Sequence, residues 1–477
     1  MGADAYDLVV IGGGSAGLVA ARLAVALGAR VALLDRERLG GECLWTGCVP
    51  SKSLIAAART ARQTRDLGAL GLSGRLDPVD LGAVMDRVQR VIQSISRHED
   101  ADAMRKRGIA VHFGDVAFRS ARVVTVNGAP LRARTFLICT GSSPAVRDLE
   151  GLTDSGYLTN ETIFGLRELP SHLIIAGGGP VGVEMGQAFR RLGAAVTILT
   201  GARGLLPRED HEVRHAVEVF FRQEGIAVLQ RKLTAVAREG AGLCVTYADL
   251  DGDGSLRGDR LLLALGRRPN VVGLALERAG VRYETQRGIE IDDYLRTSAP
   301  HIFACGDVTG PYQFTHAAGY QAATAVRNAL FPWFKSKAKL DPMPWTTFTD
   351  PEVARIGLTE IEARGEYGKV LVLRADFAHV DRAQAEDQTT GFVKLIVTPW
   401  RGKILGCHIV GPRAGELIQE VTLAMRHGLS VRALAETIHV YPTLAMAVQQ
   451  AALGFYTQWP VWGPARRPIR ALVRRVR

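Results

Sequence analysis

The stretch that decides the fold is Tyr6-Asp-Leu-Val-Val-Ile-Gly-Gly-Gly-Ser-Ala-Gly17. Its apolar start, residues 6–11, reads as a buried parallel strand. Gly12, Gly14 and Gly17 follow with G-x-G-x-x-G spacing, and a helix of small residues runs on through Leu27. The first glycine permits a tight turn. The second lets the backbone approach a pyrophosphate resting on the helix N-terminus, and the third lets helix and strand pack closely. Asp35 ends the next strand, residues 30–34, and is placed to accept ribose hydroxyls. A lone glycine motif is weak; the order strand, turn, helix, strand, acid is specific.

The unit recurs. Residues 173–176 read as a strand, Gly177, Gly179 and Gly182 as a second fingerprint, 183–192 as its helix and 196–199 as the following strand. Two such units imply two dinucleotides. The second strand ends in Leu199-Thr-Gly-Ala-Arg203, with no acid for a ribose 2′-hydroxyl. Arg203, with Arg208, suits a 2′-phosphate, which favours NADPH over NADH. An ordinary solvated arginine is the alternative.

Between the units lies Gly40-Gly-Glu-Cys-Leu-Trp-Thr-Gly-Cys-Val-Pro-Ser-Lys52. Cys43 and Cys48 can carry two electrons as a disulfide–dithiol couple. Buried cysteines that act as small hydrophobes are the plainer alternative. A thiolate is the reactive form, and a helix N-terminus or a nearby cation lowers its pKa. The pair lies at the start of a predicted helix that runs past Lys52. Glu42, Trp45 and Thr46 add little positive charge.

The remaining chain sets limits. Its 477 residues suggest two to four domains, and 47% hydrophobic content allows a large core. Six cysteines in this length do not make a secreted disulfide scaffold. The first residues lack a basic n-region, and no run of 18 apolar residues exists. A reducing cytoplasm is therefore expected. Six of the eleven net positive charges are arginines within residues 466–477, so the excess is a tail and not a nucleic-acid-binding face. In that tail Ile469, Leu472, Val473 and Val476 recur at helical spacing among arginines. With the aromatic residues before it, from about 456, it reads as a basic amphipathic helix suited to an anionic membrane surface. A helix docked on the dimer or a frayed tail are the alternatives.

Residues 53–65 and 81–107 read as helical. Residues 249–254 mimic a calcium loop, but position twelve would be Arg260 instead of glutamate, so a β-hairpin turn is expected and no resident metal. Residues 331–344 mark a boundary. Beyond it, strands at 369–373, 392–397 and 403–410 and helices at 415–427 and 431–438 describe an α+β domain without a nucleotide fingerprint.

With these motifs in hand, the chain resembles the FAD-dependent pyridine nucleotide–disulfide oxidoreductases, which include dihydrolipoamide dehydrogenase, glutathione reductase and mercuric reductase. The likeness extends to about residue 455. It rests on both fingerprints, the cysteine segment, Cys139-Thr-Gly141, Glu184, Leu265-Gly266-Arg-Arg-Pro-Asn270, Ala304-Cys-Gly306-Asp307 and Phe348-Thr-Asp-Pro-Glu352. The resemblance implies an α/β fold with two doubly wound, Rossmann-like domains and a C-terminal α+β dimerisation domain. FAD would occupy 1–150 plus 267–340, NAD(P) 151–266, and a homodimer would form through 341–477. It implies that Cys48 lies nearest the flavin and that Cys43 is the interchange thiol. Lys52 and Glu184 would stand near flavin and nicotinamide. Gly141, Gly306 and Asp307 would contact FAD, and Gly266 the NAD(P).

One segment departs from the family. Disulfide-reducing members resemble one another in H-P-T-x-x-E, where His is the acid/base and Glu orients it. Here Tyr441 holds the His position and Met446 the Glu position. Tyrosine, with a pKa near ~10, is a poor base at neutral pH. His439 lies two residues away and would point to the same side of an extended segment. The departure favours acceptors that need no proton on a leaving thiol: a soft metal ion such as Hg(II), which thiolates suit, or a quinone. No cysteine follows Cys407, unlike the C-terminal pair of mercuric reductases, and no separate N-terminal metal-binding domain is expected. The reading is therefore a mercuric-reductase-like enzyme with a small acceptor, a metal ion or a disulfide. A membrane-surface quinone reductase or diaphorase, a dihydrolipoamide dehydrogenase using His439, and a flavoprotein redox sensor are the alternatives.

Overall fold

A computed structural model describes residues 6–249 and 252–458. The chain forms two compact units. The first comprises Met1–Ala57, Val79–Gly177 and Leu233–Leu340. Its centre is a parallel sheet in the order Ala110–Phe113, Val31–Asp35, Tyr6–Ile11, Ala129–Ile138 and Ile302–Ala304. The fingerprint strand is buried on both faces. Leu8 and Val10 enter one core, Val9 and Ile11 the other. That double burial is why its apolar run does not alternate with polar residues. Helix Ser15–Ala26 and helix Thr315–Leu330 pack in the first core through Ala20, Ala21, Ala24, Ala318, Ala322 and Ala325. Small side chains let the two backbones come close. An antiparallel ribbon, Val116–Ser120 with Val123–Val126, extends the N-terminal half of Ala129–Ile138.

The same unit holds the parallel pair His172–Ala176 and Arg260–Leu263. It also holds the antiparallel hairpin Gly242–Asp249 with Gly252–Gly258, where Asp249 faces Gly252. The ribbon is the expected hairpin; its two turn residues, 250 and 251, lie outside the described residues, as does the tail at 459–477.

The second unit comprises Ala58–Pro78, Gly178–Lys232 and Asp341–Arg477. A five-stranded antiparallel sheet runs Trp345–Thr347, Glu352–Gly357, Ile404–Gly411, Phe392–Val397, Leu371–Asp376. Phe377, Ile418, Val421, Val448 and Phe455 fill its core. The same unit carries helix Pro180–Leu192 and the parallel strands Ala195–Leu199 and Ala227–Leu229. A charged cluster with a buried centre lies in it. Lys394, 1% exposed, meets Asp210 at 3.0 Å, Glu212 at 3.1 Å and Glu360 at 2.8 Å.

Two helices differ from the expected bounds. The 81–107 stretch is two helices, Leu81–Ser96 and Ala101–Lys106, because the Asp100 carboxylate accepts the Ala103 N–H and starts a new helix. The helix expected from residue 53 begins at Cys48. Pro50 does not stop it, because proline in a first turn removes an N–H that has no helical partner. Among the described residues no helix is long and apolar enough to cross a membrane.

Candidate active site

The C-terminal edge of the parallel sheet gathers three turns that are far apart in sequence. They follow Ile11, Ile138 and Ala304, the last residues of three adjacent parallel strands. In such sheets ligands bind in this crevice. Gly12 has φ +104, and a Cβ there would lie 2.4 Å from the Cys139 carbonyl oxygen. A Cβ on Gly17 would lie 1.8 Å from the Gly12 carbonyl oxygen. Glycine is compulsory at both. Gly14 caps helix Ser15–Ala26 with no side-chain hydrogen bond, so the first-turn N–H groups stay open to an anion. Asp35 Oδ2 accepts the Gly13 N–H at 2.7 Å, which places the carboxylate beside the glycine turn.

The second turn is tied to the strand Arg267–Pro269 that follows Gly266. Thr140 Oγ1 donates to the Asn270 carbonyl at 2.7 Å, and Asn270 N–H donates to Gly141 O at 3.0 Å. The third turn is held from helix Thr315–Leu330: Gly306 N–H donates to Gln321 Oε1 at 2.7 Å. Asp307 Oδ2 accepts from Ser142 Oγ at 2.6 Å. These contacts build a cradle of three turns at the sheet edge, with Asp35 beside the first of them.

The cysteine segment packs directly on that cradle. Gly40 N–H donates to Gly13 O at 2.9 Å. Gly41 has φ +60, and a Cβ there would lie 2.5 Å from Gly14 Cα. Cys43 sits inside the short helix Gly41–Trp45, and Cys48 opens helix Cys48–Arg65. So the two thiols stand on two helices joined by Thr46-Gly47, not at the start of one. Trp45 is a structural anchor: its Nε1 donates to Leu39 O at 2.8 Å, and the Arg38 guanidinium lies 4.2 Å from its ring centre.

Thr315 bridges the pair. Its Oγ1 donates to Cys43 Sγ at 3.3 Å and lies 3.6 Å from Cys48 Sγ. The sulfurs also hydrogen-bond to each other, and Ser15 reaches Cys43. The Cys43 thiol is drawn down to about 6, chiefly by the hydrogen bond from Cys48; burial opposes this, while Thr315 and Ser15 assist. Cys48 moves far up, because it donates to Cys43, its sulfur is partly withdrawn from water, and it feels the Cys43 charge; the Lys52 ammonium, one helical turn on, opposes that rise. The pair thus gives up its first proton readily and keeps its second. All six cysteines are free; Cys43 is half-buried and Cys48 exposed, while Cys139, Cys305 and Cys407 are buried.

In the second unit, helix Pro180–Leu192 also starts without a side-chain cap, at Gly179, and Gly182 is buried within it. Gly177, in the first unit, could not carry a Cβ, which would lie 2.2 Å from Ala264 O. Glu184 is 6% exposed and accepts the Phe348 N–H at 2.9 Å. Arg203 is exposed. Arg208 lies over the Trp345 ring at 5.3 Å. His439 has both ring nitrogens engaged: Nδ1 with Thr437 O and Nε2 with Glu420 Oε1, each at 2.9 Å. Tyr441, 66% exposed, donates its hydroxyl to Asp381 Oδ2 at 2.8 Å. That bond holds the phenol above its ordinary pKa, which weakens it further as an acid and as a source of base near neutral pH. Met446 opens helix Met446–Gln458.

Sequence reasoning did not single out Thr315, Ser15 or the partners of Glu42. Thr315 follows Phe314 at an uncapped helix start and carries no local signal. Glu42 gave a hint, since an acid beside a reactive thiol needs a compensating cation. Arg267 is that cation. Among the described residues no group of three or more His, Cys, Asp or Glu side chains could hold a metal ion.

Two family profiles match the chain. "Pyridine nucleotide-disulphide oxidoreductase" matches residues 6–322, and "Pyridine nucleotide-disulphide oxidoreductase, dimerisation domain" matches residues 343–452. A mercuric reductase of Lysinibacillus sphaericus is 35% identical over 455 residues, covering 95% of this chain and 83% of its own length. A dihydrolipoyl dehydrogenase of Mycobacterium bovis is 34% identical, covering 94% of this chain and 98% of its own length. Among solved structures, the Cu(II) complex of the HOCl-induced flavoprotein disulfide reductase RclA from Escherichia coli is similar at a TM-score of 0.85. It is 27% identical and the match covers 94% of this chain and 99% of that one.

Proposed function

The chain belongs to the pyridine nucleotide-disulphide oxidoreductase family, and from that premise we propose that it reduces a thiophilic metal ion through the Cys43–Cys48 couple. It is an FAD-dependent oxidoreductase with NAD(P)H as electron donor. Gly12, Gly14, Gly17, Asp35, Gly141, Gly306 and Asp307 hold FAD in the domain formed by 1–150 and 267–340. Gly177, Gly179, Gly182, Gly266 and Arg203 hold the nicotinamide dinucleotide in 151–266, with Arg203 favouring NADPH. The dimerisation domain, 341–477, makes the enzyme a homodimer.

Held by these residues, FAD would supply the two-electron chemistry that links a nicotinamide hydride to the Cys43–Cys48 disulfide. The chain's own residues do the rest. Opening the disulfide yields two sulfurs, and Cys48, Thr315 and Ser15 hold the Cys43 sulfur as a thiolate by hydrogen bonds. A thiolate is both nucleophile and soft metal ligand. In net terms the Cys43 thiolate, the Cys48 thiol and Hg(II) give one disulfide, Hg(0) and one proton, so the couple returns to its starting state.

The observation that carries the metal-ion reading is the state of the acid/base segment. Tyr441 is bound to Asp381, and both nitrogens of His439 are occupied. No group there presents a proton to a leaving thiol, and a metal ion needs none. The names of the similar mercuric reductase and of the Cu(II)-bound structure support this acceptor class. A second reading has one observation in its favour. Glu420 orients His439 as the family's glutamate orients its histidine, which suits a small disulfide acceptor.

The test is anaerobic NADPH titration of the FAD-loaded enzyme, then turnover with Hg(II), Cu(II), lipoamide and a quinone. Metal-dependent NADPH oxidation that disappears in Cys43→Ser is expected. Brisk lipoamide turnover with none for either metal would replace this reading by the second. Quinone turnover that persists in Cys43→Ser would make the couple a bystander.

A further inference from the structure

A second pair of thiols stands apart from the first. Cys139 follows strand Ala129–Ile138, and Cys305 follows strand Ile302–Ala304. The two strands pair in parallel, with Phe303 opposite Leu137 and Ala304 opposite Ile138. The next step of that register sets Cys305 opposite Cys139, and Cys305 N–H donates to Ile138 O at 3.0 Å. The two sulfurs lie 3.4 Å apart. Cys139 is 6% exposed and Cys305 0%, within a core of leucine, valine and alanine.

The geometry suits a bond between them. Neighbouring strands run ~4.8 Å apart, inside the Cα separation of roughly 4.4–6.8 Å that a disulfide spans. Both residues lie just beyond the last paired position of their strands, where the backbone can adjust. No part of the proposed electron path uses either sulfur. Their backbones, however, lead straight into Gly141 and into Gly306-Asp307.

We propose that Cys139 and Cys305 are a second, buried dithiol–disulfide couple, which closes when a small neutral peroxide oxidises it. One sulfur, having released its proton, attacks the peroxide oxygen; the O–O bond breaks and an alcohol or water leaves. The resulting sulfenic sulfur is attacked by the second thiol. The S–S bond forms and water leaves, so two thiols and one peroxide give one disulfide, one ROH and one water. Burial holds the Cys139 thiol well above its ordinary pKa, and the closed core around both sulfurs excludes charged or bulky oxidants. The couple therefore responds slowly, and only to oxidants that penetrate the core. When closed, it fastens two of the three turns at the sheet edge to each other.

The test uses FAD-loaded Cys43→Ser/Cys48→Ser enzyme, which retains Cys139, Cys244, Cys305 and Cys407. Hydrogen peroxide is raised to the dose that converts methionine to sulfoxide, and thiols are counted after denaturation. Two of the four thiols should be lost, dithiothreitol should restore them, and peptide mapping without reductant should find residues 139 and 305 linked. Adding Cys139→Ala should abolish the linkage. The same mapping on wild-type enzyme, with its accessible thiols alkylated first, repeats the test without the serine substitutions. Four surviving thiols, oxidation of either cysteine to sulfonic acid, or a link to Cys244 would each overturn the proposal.

Discussion

Glu42 and Arg267, 225 positions apart, meet as a two-pronged ion pair: Arg267 Nη1 donates to Glu42 Oε1 at 2.7 Å, and Nη2 donates to Oε2. Both side chains are largely enclosed, 28% and 18% exposed. Asn160 Nδ2 adds a bond to the same carboxylate at 2.8 Å. Arg267 Nε continues to Ser142 Oγ at 2.8 Å, and Ser142 Oγ to Asp307. A chain of polar contacts thus runs from the residue before Cys43 to the turn at Asp307.

This pair neutralises an acid that would otherwise oppose a thiolate beside it. Arg267→Met should raise the pH at which Cys43 becomes alkylatable, by about one unit, and Glu42→Gln should lower it. The pH dependence of iodoacetamide labelling measures both. Shifts in the same direction would mean that the pair acts only by holding shape.

The Thr315 hydroxyl is shared by both sulfurs. Wild-type labelling of Cys43 should rise with pH around a midpoint of about 6. Thr315→Val should move that midpoint upward and cut labelling at pH 6.5 several-fold, whereas Thr315→Ser should leave it near the wild-type value. Equal losses in both variants would assign the effect to packing of the methyl group.

General acid–base groups are worth about 10²–10⁴ in rate. Because His439 and Tyr441 are otherwise engaged, His439→Gln and Tyr441→Phe should each change Hg(II)-dependent NADPH oxidation by less than about twofold. Loss of lipoamide turnover in His439→Gln, by a hundredfold or more, would establish the second reading of the acceptor.

His408 is fully buried and its Nε2 bonds to Leu358 O at 3.0 Å. Burial pulls its pKa from 6.5 down to about 4. The unfolded chain then binds more protons than the folded one between those values, so stability falls as pH drops from 6.5 towards 4 and levels off below. The loss should total about 3 kcal/mol. Urea midpoints between pH 7 and 4 measure it, and His408→Phe should flatten that slope.

Lys394, itself buried, meets the buried Asp210 and the partly exposed Glu212 and Glu360. Lys394→Met should cost about 3 kcal/mol at pH 7, because it leaves the buried Asp210 without its cation. Burial alone would raise Asp210 and Glu360, but the Glu360 N–H and the Lys394 ammonium hold Asp210 below the ordinary carboxyl range, and Lys394 and Arg364 do so for Glu360. Depressed carboxyls stabilise above their unfolded pKa and lose that contribution as pH falls through the folded one. The gap between variant and wild type should therefore narrow at pH 3, read from the same urea midpoints.

The residues that could be read without a structure were those whose type is dictated by the local backbone. Gly12 and Gly17 announce themselves because carbonyl oxygens occupy the space of a side chain. Leu8 to Ile11 read as a strand because both faces are covered. Spacing also exposed Cys43 and Cys48. What stayed hidden depends on partners distant in sequence. Lys394 sits among Phe, Val, Leu and Ile, and nothing nearby predicts that Asp210 will meet its ammonium. Thr315 lies 272 positions from Cys43. The break at Asp100 is hard to read for another reason: Ser96-Arg-His-Glu-Asp100 is polar but holds no glycine or proline to mark a stop, and the cap depends on one side-chain rotamer.

The contact of Gly41 with Gly14 has a practical corollary for protein engineering. A two-cysteine motif grafted onto another scaffold would bring its thiols but not the bare backbone they lean on. Here the cysteine loop is fitted to the glycine loop with no side chain between Gly41 and Gly14. The transplantable part is therefore not the C-x4-C sequence but both loops together, and a design that moves one without the other will misplace its sulfurs.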